Sequence, residues 1–211
     1  MSDIYRLLVN GISYMAMTNY PYASNFLNPM PAFPVNESCK SFNGHKSTSS
    51  PQELLTALNS ATGVYFNYTG QTPCTDFSNT DGTGNLDGFG WNILSCNQIP
   101  MPISDGNSSS MFVPNTFNYN QFKTDCEKNY GITPSWNYVE KTFGGQNYKV
   151  DFMSHSNIIF SNGDLDPWIA GGVTKWINHK LPVYVISNAA HHLDLRLPNA
   201  NDTYTGVNYV R

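Results

Sequence analysis

The chain has 211 residues, a length that suits one large domain or two small ones. Hydrophobic residues make up 40% and aromatic residues 14%, enough for a packed core, whereas charged residues make up only 12%. The net charge of −4 argues against nucleic acid or an anionic membrane surface as a partner. No apolar run reaches the roughly 18 residues of a transmembrane helix, so the sequence predicts no membrane-spanning segment.

The first half of the chain carries two helix patterns separated by a proline-rich stretch. Residues 4–17 have apolar side chains at approximately helical spacing. Residues 20–34 contain prolines that a helix cannot accommodate. A second helix is predicted from Ser50, which can cap it, with Pro51 at the first helical position and Glu53 completing a capping box.

The middle of the chain is poor in regular patterns. Residues 69–116 are rich in Gly, Asn, Ser, Thr and Asp and are predicted to form long loops. A third helix is predicted over about 118–130, with Gly131 as its stop.

Two short, nearly continuous apolar runs follow, at 157–161 and 182–187. Such runs are typical of strands buried in a parallel sheet. The segment between them contains the helix-compatible residues 173–177, so the unit has the length of a strand–helix–strand crossover. We therefore expect two parallel, neighbouring strands.

A carboxylate and an imidazole follow these two strands. Asp166 comes just after the first strand and His191 just after the second. Parallel neighbours place both loops at the same sheet edge, where functional groups collect. An Asp that accepts from one imidazole nitrogen leaves the other nitrogen free to take a serine proton. The order Asp then His is that of α/β-hydrolases, in which the Ser comes earlier.

The motifs around these residues resemble those of the lysosomal prolylcarboxypeptidase and dipeptidyl peptidase 2 family. They include Leu-Asp-Pro-Trp at 165–168 and His-His-Leu-Asp-Leu-Arg at 191–196. Further similar stretches lie at residues 20–27, 67–71, 101–102 and 171–175. The resemblance implies that Asp166 and His191 are catalytic. It also implies that Trp168, with Met101 nearby, walls a subsite for a substrate proline.

The resemblance implies the fold as well. Residues 149–211 would be the C-terminal part of an α/β-hydrolase core, and residues 1–148 part of a mainly helical, disulfide-bearing cap. The implied activity is that of a serine-type exopeptidase that cleaves peptides next to proline near a chain terminus. It needs no metal or cofactor. Carboxypeptidase and dipeptidyl peptidase members share these motifs, so the choice between them stays open.

None of the four cysteines lies in a zinc-like spacing. Together with the low Lys content and the many aromatic and Asn residues, they suit an oxidising compartment and disulfides. Cys96 and Cys126 bracket the loop-rich segment and the third helix, and together with the family match this predicts a disulfide. In the family, the counterparts of Cys39 and Cys74 bond to cysteines further upstream. Sequons are only weak candidates for glycosylation, since about four are expected by chance in this composition; they lie at Asn36, Asn67, Asn107 and Asn201.

The family's nucleophile elbow, Gly-Gly-Ser-Tyr-Gly-Gly, does not occur in the 211 residues, and the start of the chain does not have the layout of a signal peptide. We therefore expect a C-terminal fragment of a lysosomal or secreted protein, whose partners are a proline-containing peptide and the N-terminal half of the same polypeptide. The alternative is a fragment or pseudoenzyme without its own activity. Ser13 is a weak substitute for the nucleophile, because the elbow's second glycine is missing. A metal site at His191, His192 and Asp194 fits no standard ligand spacing.

Overall fold

The computed structural model describes residues 3–75, 86–104, 110, 112–202 and 206–211. Within these residues the helices are α1 (Asp3–Met17), α2 (Pro34–Lys40), α3 (Pro51–Phe66), α4 (Gly88–Asn97), α5 (Tyr119–Tyr130), α6 (Tyr138–Phe143), α7 (Tyr148–Asp151) and α8 (Val207–Val210). The strands are β1 (Phe160–Gly163) and β2 (Val183–Ile186). In this part of the chain, no helix has both the length and the apolar character needed to cross a membrane.

The chain forms two compact units. The first comprises Met1–Asn85 together with His155–Arg211, and the second comprises Leu86–Ser154. The expected division into a cap over 1–148 and a core over 149–211 concerns the architecture of a hydrolase, and it stays a prediction.

The helices of the first unit follow their sequence signals. The Ser50 hydroxyl accepts from the Glu53 amide, and the Glu53 carboxylate accepts from the Ser50 amide, so α3 begins with the predicted capping box. Helix α1 lies close to α3 at Gly11, where an added Cβ would stand 2.8 Å from Phe66 Cε2. The apolar cluster in this region is built around Met15, Leu27, Met30 and Tyr65.

The sheet of the first unit has the predicted parallel pairing. Phe160 is in register with Val183, and Gly163 with Ile186. A second apolar cluster packs at its end and consists of Tyr20, Ile186, Ala189, Ala190, Leu193 and Val207. The sheet thus ends on a buried core from which the two strand-end loops emerge.

The predicted helix over 173–177 is wrong. The crossover contains a short 3-10 helix, Pro167–Gly171, and then continues without helical structure. Gly172 is extended, and an added Cβ there would stand 1.9 Å from Asn162 Oδ1. The Asn162 side-chain amide donates to the Val173 carbonyl at 2.8 Å. These contacts hold the backbone against β1, and a helix would have to break them.

The second unit corrects the expectation of loops throughout 69–116. Helix α4 forms within this stretch because the Asp87 side chain accepts from the Gly90 amide at 2.9 Å and caps it. Helix α5 ends as predicted at Gly131, which is left-handed with φ 66°. Cys96 in α4 and Cys126 in α5 form a disulfide, with Cα atoms 5.6 Å apart.

Candidate active site

Asp166 stands at the turn between β1 and the 3-10 helix Pro167–Gly171. One carboxylate oxygen, Oδ1, accepts from the Trp168 amide at 2.9 Å, so the side chain caps the helix. The turn is fixed to the loop that follows β2, because the Leu165 amide donates to the Ala189 carbonyl at 3.0 Å. Asp166 is only 8% exposed. Its second oxygen, Oδ2, is therefore presented in one direction, toward the loop that follows β2.

His191 lies in that loop and meets the carboxylate. The distance from His191 Nδ1 to Asp166 Oδ2 is 2.9 Å, which confirms the expected approach at the ends of adjacent parallel strands. The His191 side chain remains 28% exposed. The pairing assigns Nδ1–H as donor to the carboxylate, so Nε2 on the other side of the ring is the basic nitrogen.

Met17, the last residue of α1, and Tyr20, which follows the helix, contact the backbone of His191 and the Trp168 indole. The Met17 carbonyl accepts from the His191 amide at 3.1 Å, and the Met17 sulfur accepts from the Trp168 indole at 3.1 Å. The Tyr20 hydroxyl donates to the His191 carbonyl at 3.0 Å. Burial raises the pKa of Tyr20 to about 12, so this hydroxyl keeps its proton and acts as a donor at neutral pH.

Trp168 lies beside the pair. Its ring centroid is 6.1 Å from that of His191, and it is 36% exposed, so part of the indole faces outward next to the imidazole. Met101 lies in the second unit, after α4, and is half-buried. The subsite expected from these two side chains remains a prediction.

His192 faces a different environment from His191. Its backbone is left-handed, with φ 42°, and its ring meets the edge of Phe26 at a centroid distance of 5.2 Å. These two side chains, with Tyr22 and Arg196, line an open cleft of about 700 Å³. Burial, and then the charge of neighbouring His191, lowers the pKa of His192. Both effects favour the neutral form of His192 beside the catalytic candidate.

The remaining candidates are the four sequons and the two other cysteines. Asn36 and Asn201 are exposed, and Asn67 is half-buried with its side-chain Oδ1 accepting from the Thr72 amide at 2.8 Å. Asn107 lies outside the described residues. Whether these positions are glycosylated stays a prediction. Cys39 and Cys74 are exposed, and neither is in a disulfide.

The two alternative assignments, Ser13 as the nucleophile and a metal site at His191, His192 and Asp194, have unfavourable surroundings. Ser13 is an exposed residue in the middle of α1, whereas a nucleophile elbow is a sharp turn between a strand and a helix. The Asp194 carboxylate accepts from the Ser161 hydroxyl at 2.7 Å. Within the described residues, no group of three or more His, Cys, Asp or Glu side chains is arranged to hold a metal ion.

Sequence reasoning missed the contacts that support His191. The Ser161–Asp194 hydrogen bond joins residues 33 positions apart, and the guanidinium of Arg196 lies 4.4 Å from the centre of the Tyr20 ring. The signal available was the motif itself, since Asp194 and Arg196 belong to His-His-Leu-Asp-Leu-Arg and Tyr20 to Tyr-Pro-Tyr. Membership in a motif indicates that a residue is a functional candidate, but it does not predict which side chains that residue contacts.

Comparison with known proteins decides the family. The model of the serine carboxypeptidase S28 family matches residues 2–209. The chain belongs to this family. The S28 chain is 43% identical over 190 residues to the lysosomal Pro-X carboxypeptidase of Bos taurus and 41% identical over 190 residues to that of Homo sapiens. It is also 37% identical over 219 residues to the putative serine protease pcp-1 of Caenorhabditis elegans.

The matches cover most of this S28 chain and a smaller share of the relatives. The two mammalian alignments span 89% of this chain and 36% of each relative, and the nematode alignment spans 95% and 38%. The chain therefore spans a little over a third of the length of these relatives. Membership makes it part of a hydrolase family.

Proposed function

We propose that this chain supplies the acid–base half of a serine-type exopeptidase that cleaves peptides next to proline. The observation that carries the proposal is the 2.9 Å approach of Asp166 Oδ2 to His191 Nδ1 at the ends of two adjacent parallel strands. A half-buried imidazole oriented by a buried carboxylate is the arrangement that serine hydrolases use. Membership in the S28 family supports this assignment.

In the proposed reaction, a serine hydroxyl attacks the peptide carbonyl and His191 Nε2 takes its proton. Asp166 holds the imidazole in the tautomer that leaves Nε2 basic, and its negative charge stabilises the imidazolium that forms. His191 then gives the proton to the departing amine. Water repeats the cycle on the acyl-enzyme, with the same imidazole as base and then acid. No step requires a metal or cofactor.

The proposed substrate is a peptide with proline next to the cleaved bond. Trp168 offers a rigid apolar surface beside His191, and such a ring suits contact with a pyrrolidine. The relatives named Pro-X carboxypeptidase support removal of a residue that follows proline at the carboxyl end. The names of these lysosomal relatives also support a lysosomal location, with secretion as the alternative.

The proposed architecture is an α/β-hydrolase. Residues 149–211 would form the last part of its core and residues 1–148 part of its cap, with the nucleophile on a segment of the family's polypeptide that these 211 residues do not span. The 211 residues contain no Gly-x-Ser-x-Gly motif, and this favours a second candidate, a chain without activity of its own. A transcript that encodes such a motif upstream of Met1 would favour the enzyme.

The experiment compares two histidines in the longest polypeptide that the transcript encodes. A peptide that ends in Pro-Phe is incubated with the protein, and release of Phe is followed by mass spectrometry, with an Ala-Phe peptide as the specificity control. His191→Gln is expected to reduce turnover by roughly 10⁴-fold or more. The matched control is His179→Gln, because His179 is exposed. Equal turnover of the two variants would refute the role of His191.

A further inference from the structure

The Ser161–Asp194 hydrogen bond lies behind the catalytic candidates and plays no part in the reaction proposed above. Ser161 belongs to β1, and Asp194 belongs to the 3-10 helix Leu193–Leu195, which follows His191. The Ser161 hydroxyl donates to Asp194 Oδ2 at 2.7 Å, and both residues are half-buried. A hydroxyl that donates to a carboxylate forms one of the stronger hydrogen bonds in proteins.

The contact acts on the part of the loop that follows His191, which the hydrogen bonds between the two strands and their turns do not fix. Before His191, the loop is joined to the Asp166 turn by backbone bonds, from the Asp164 amide to the Ile186 carbonyl and from the Leu165 amide to the Ala189 carbonyl. After His191, Arg211 binds the carbonyls of Leu193 and Asp194, but these bonds do not reach β1. The Ser161 hydroxyl does reach back, from the same strand that leads to Asp166.

We infer that Asp194 is a positioning residue, which holds the His191 imidazole against Asp166 by anchoring the far side of the His191 loop to Ser161. The inference rests on the proposed function, because it gives the contact a purpose only if the Asp166–His191 pair is the catalytic one. Catalytic geometry is sensitive to displacement, since a shift of about 1 Å can cost about 100-fold in rate. A loop anchored on both sides of His191 limits such shifts.

The test follows the proton on His191 Nδ1 in the 211-residue chain. Labelling histidine with nitrogen-15 allows the exchange of this proton with water to be measured by NMR. All variants are compared at the same pH and at one temperature well below the unfolding midpoint. Removal of the Ser161 hydroxyl in Ser161→Ala is expected to accelerate this exchange about tenfold, because a charge-assisted bond is lost. Asp194→Ala is expected to do the same. Asp194→Asn keeps an acceptor and should stay within about threefold of the wild type.

The control is Ser95→Ala, which removes a hydroxyl that donates to the Asn92 carbonyl at 2.9 Å in the second unit. It should leave the His191 exchange rate unchanged. If Ser161→Ala and Ser95→Ala give the wild-type rate, the inference is overturned while the catalytic pair stands. The inference is also overturned if Asp194→Asn exchanges as fast as Asp194→Ala. If the wild-type chain already shows no protected proton on His191 Nδ1, the Asp166–His191 pair itself is refuted, and the proposed function with it.

Discussion

At the scale of single residues, Gly163 makes the closest approach to a neighbouring backbone near the site. A Cβ added there would stand 2.2 Å from the Ala189 carbonyl oxygen, a contact with backbone that a side-chain rotation cannot relieve. Gly163 ends β1, and Ala189 lies in the loop that carries His191. The missing side chain therefore allows the two strand-end loops to lie together.

We predict that Gly163→Ala lowers the free energy of unfolding by about 1–3 kcal/mol, the usual cost of overpacking. Urea denaturation provides the measurement. Gly171→Ala is the matched control, because no neighbouring atom lies within 4 Å of the Cβ it would add, and its effect should stay within about 0.5 kcal/mol. Similar effects of the two substitutions would contradict the close approach.

A second residue-scale prediction concerns pH. Burial lowers the pKa of His192 below its ordinary value of 6.5. Between that value and the lowered pKa, the unfolded chain binds more protons than the folded protein, so stability falls as the pH decreases through this range. His192→Gln should reduce the loss of unfolding free energy between about pH 7 and pH 5.

The control for this prediction is His179→Gln, at an exposed histidine. Urea midpoints at the two pH values would be compared for the three proteins. A pH dependence in His192→Gln that equals that of the wild type would show that His192 does not carry the effect.

The residue pattern predicted the approach of Asp166 to His191 but not the contacts around it. Asp166 and His191 follow from one rule, that parallel neighbours bring their strand-end loops to the same edge. The Ser161–Asp194 bond depends on a side chain of β1 pointing at a loop 33 residues away, and no periodicity encodes such a contact. Side-chain partners across a fold are set by tertiary packing, which single-sequence patterns do not contain.

At the scale of elements, prediction succeeded where local signals are strong. The capping box at Ser50 and the left-handed Gly131 mark the bounds of α3 and α5 through interactions within a few residues. Helix α4 was missed because its glycine-rich first turn, Gly88–Gly90, resembles a loop, although Asp87 caps it. The helix expected over 173–177 failed because contacts between Asn162 and the backbone hold that segment extended.

The disulfide between α4 and α5 provides an element-scale prediction. It closes a segment with a sequence separation of 30, so its loss should cost about 2–4 kcal/mol in the chain-entropy account. We expect the double variant Cys96→Ser with Cys126→Ser to unfold the second unit at lower urea concentration, as followed by limited proteolysis.

The matched control is Cys39→Ser with Cys74→Ser, which removes two exposed thiols that are not in a disulfide. The protease should cleave this variant at the same urea concentration as the wild type. If both double variants behave alike, the disulfide does not stabilise the second unit.

At the scale of the whole molecule, the 211 residues contain the proposed Asp and His of a triad, Asp166 and His191, and no Gly-x-Ser-x-Gly motif. We predict that this chain by itself neither hydrolyses a Pro-Phe peptide nor reacts with a fluorophosphonate serine probe. The reason is that loss of a triad serine costs around a million-fold in turnover. Turnover with labelling of Ser13 would contradict this prediction and make Ser13 the nucleophile.

The central claim, that Asp166 orients His191 for acid–base catalysis, is tested most directly by two aspartates of the same turn. Asp166 is buried against His191, whereas Asp164 is exposed. The measurement is kcat for Pro-Phe peptide hydrolysis by the longest polypeptide that the transcript encodes, carrying either Asp166→Asn or Asp164→Asn. The account predicts a loss of about ten-thousand-fold for Asp166→Asn, because the imidazole would adopt the wrong tautomer, and no comparable loss for Asp164→Asn. Equal kcat values for the two variants would contradict it.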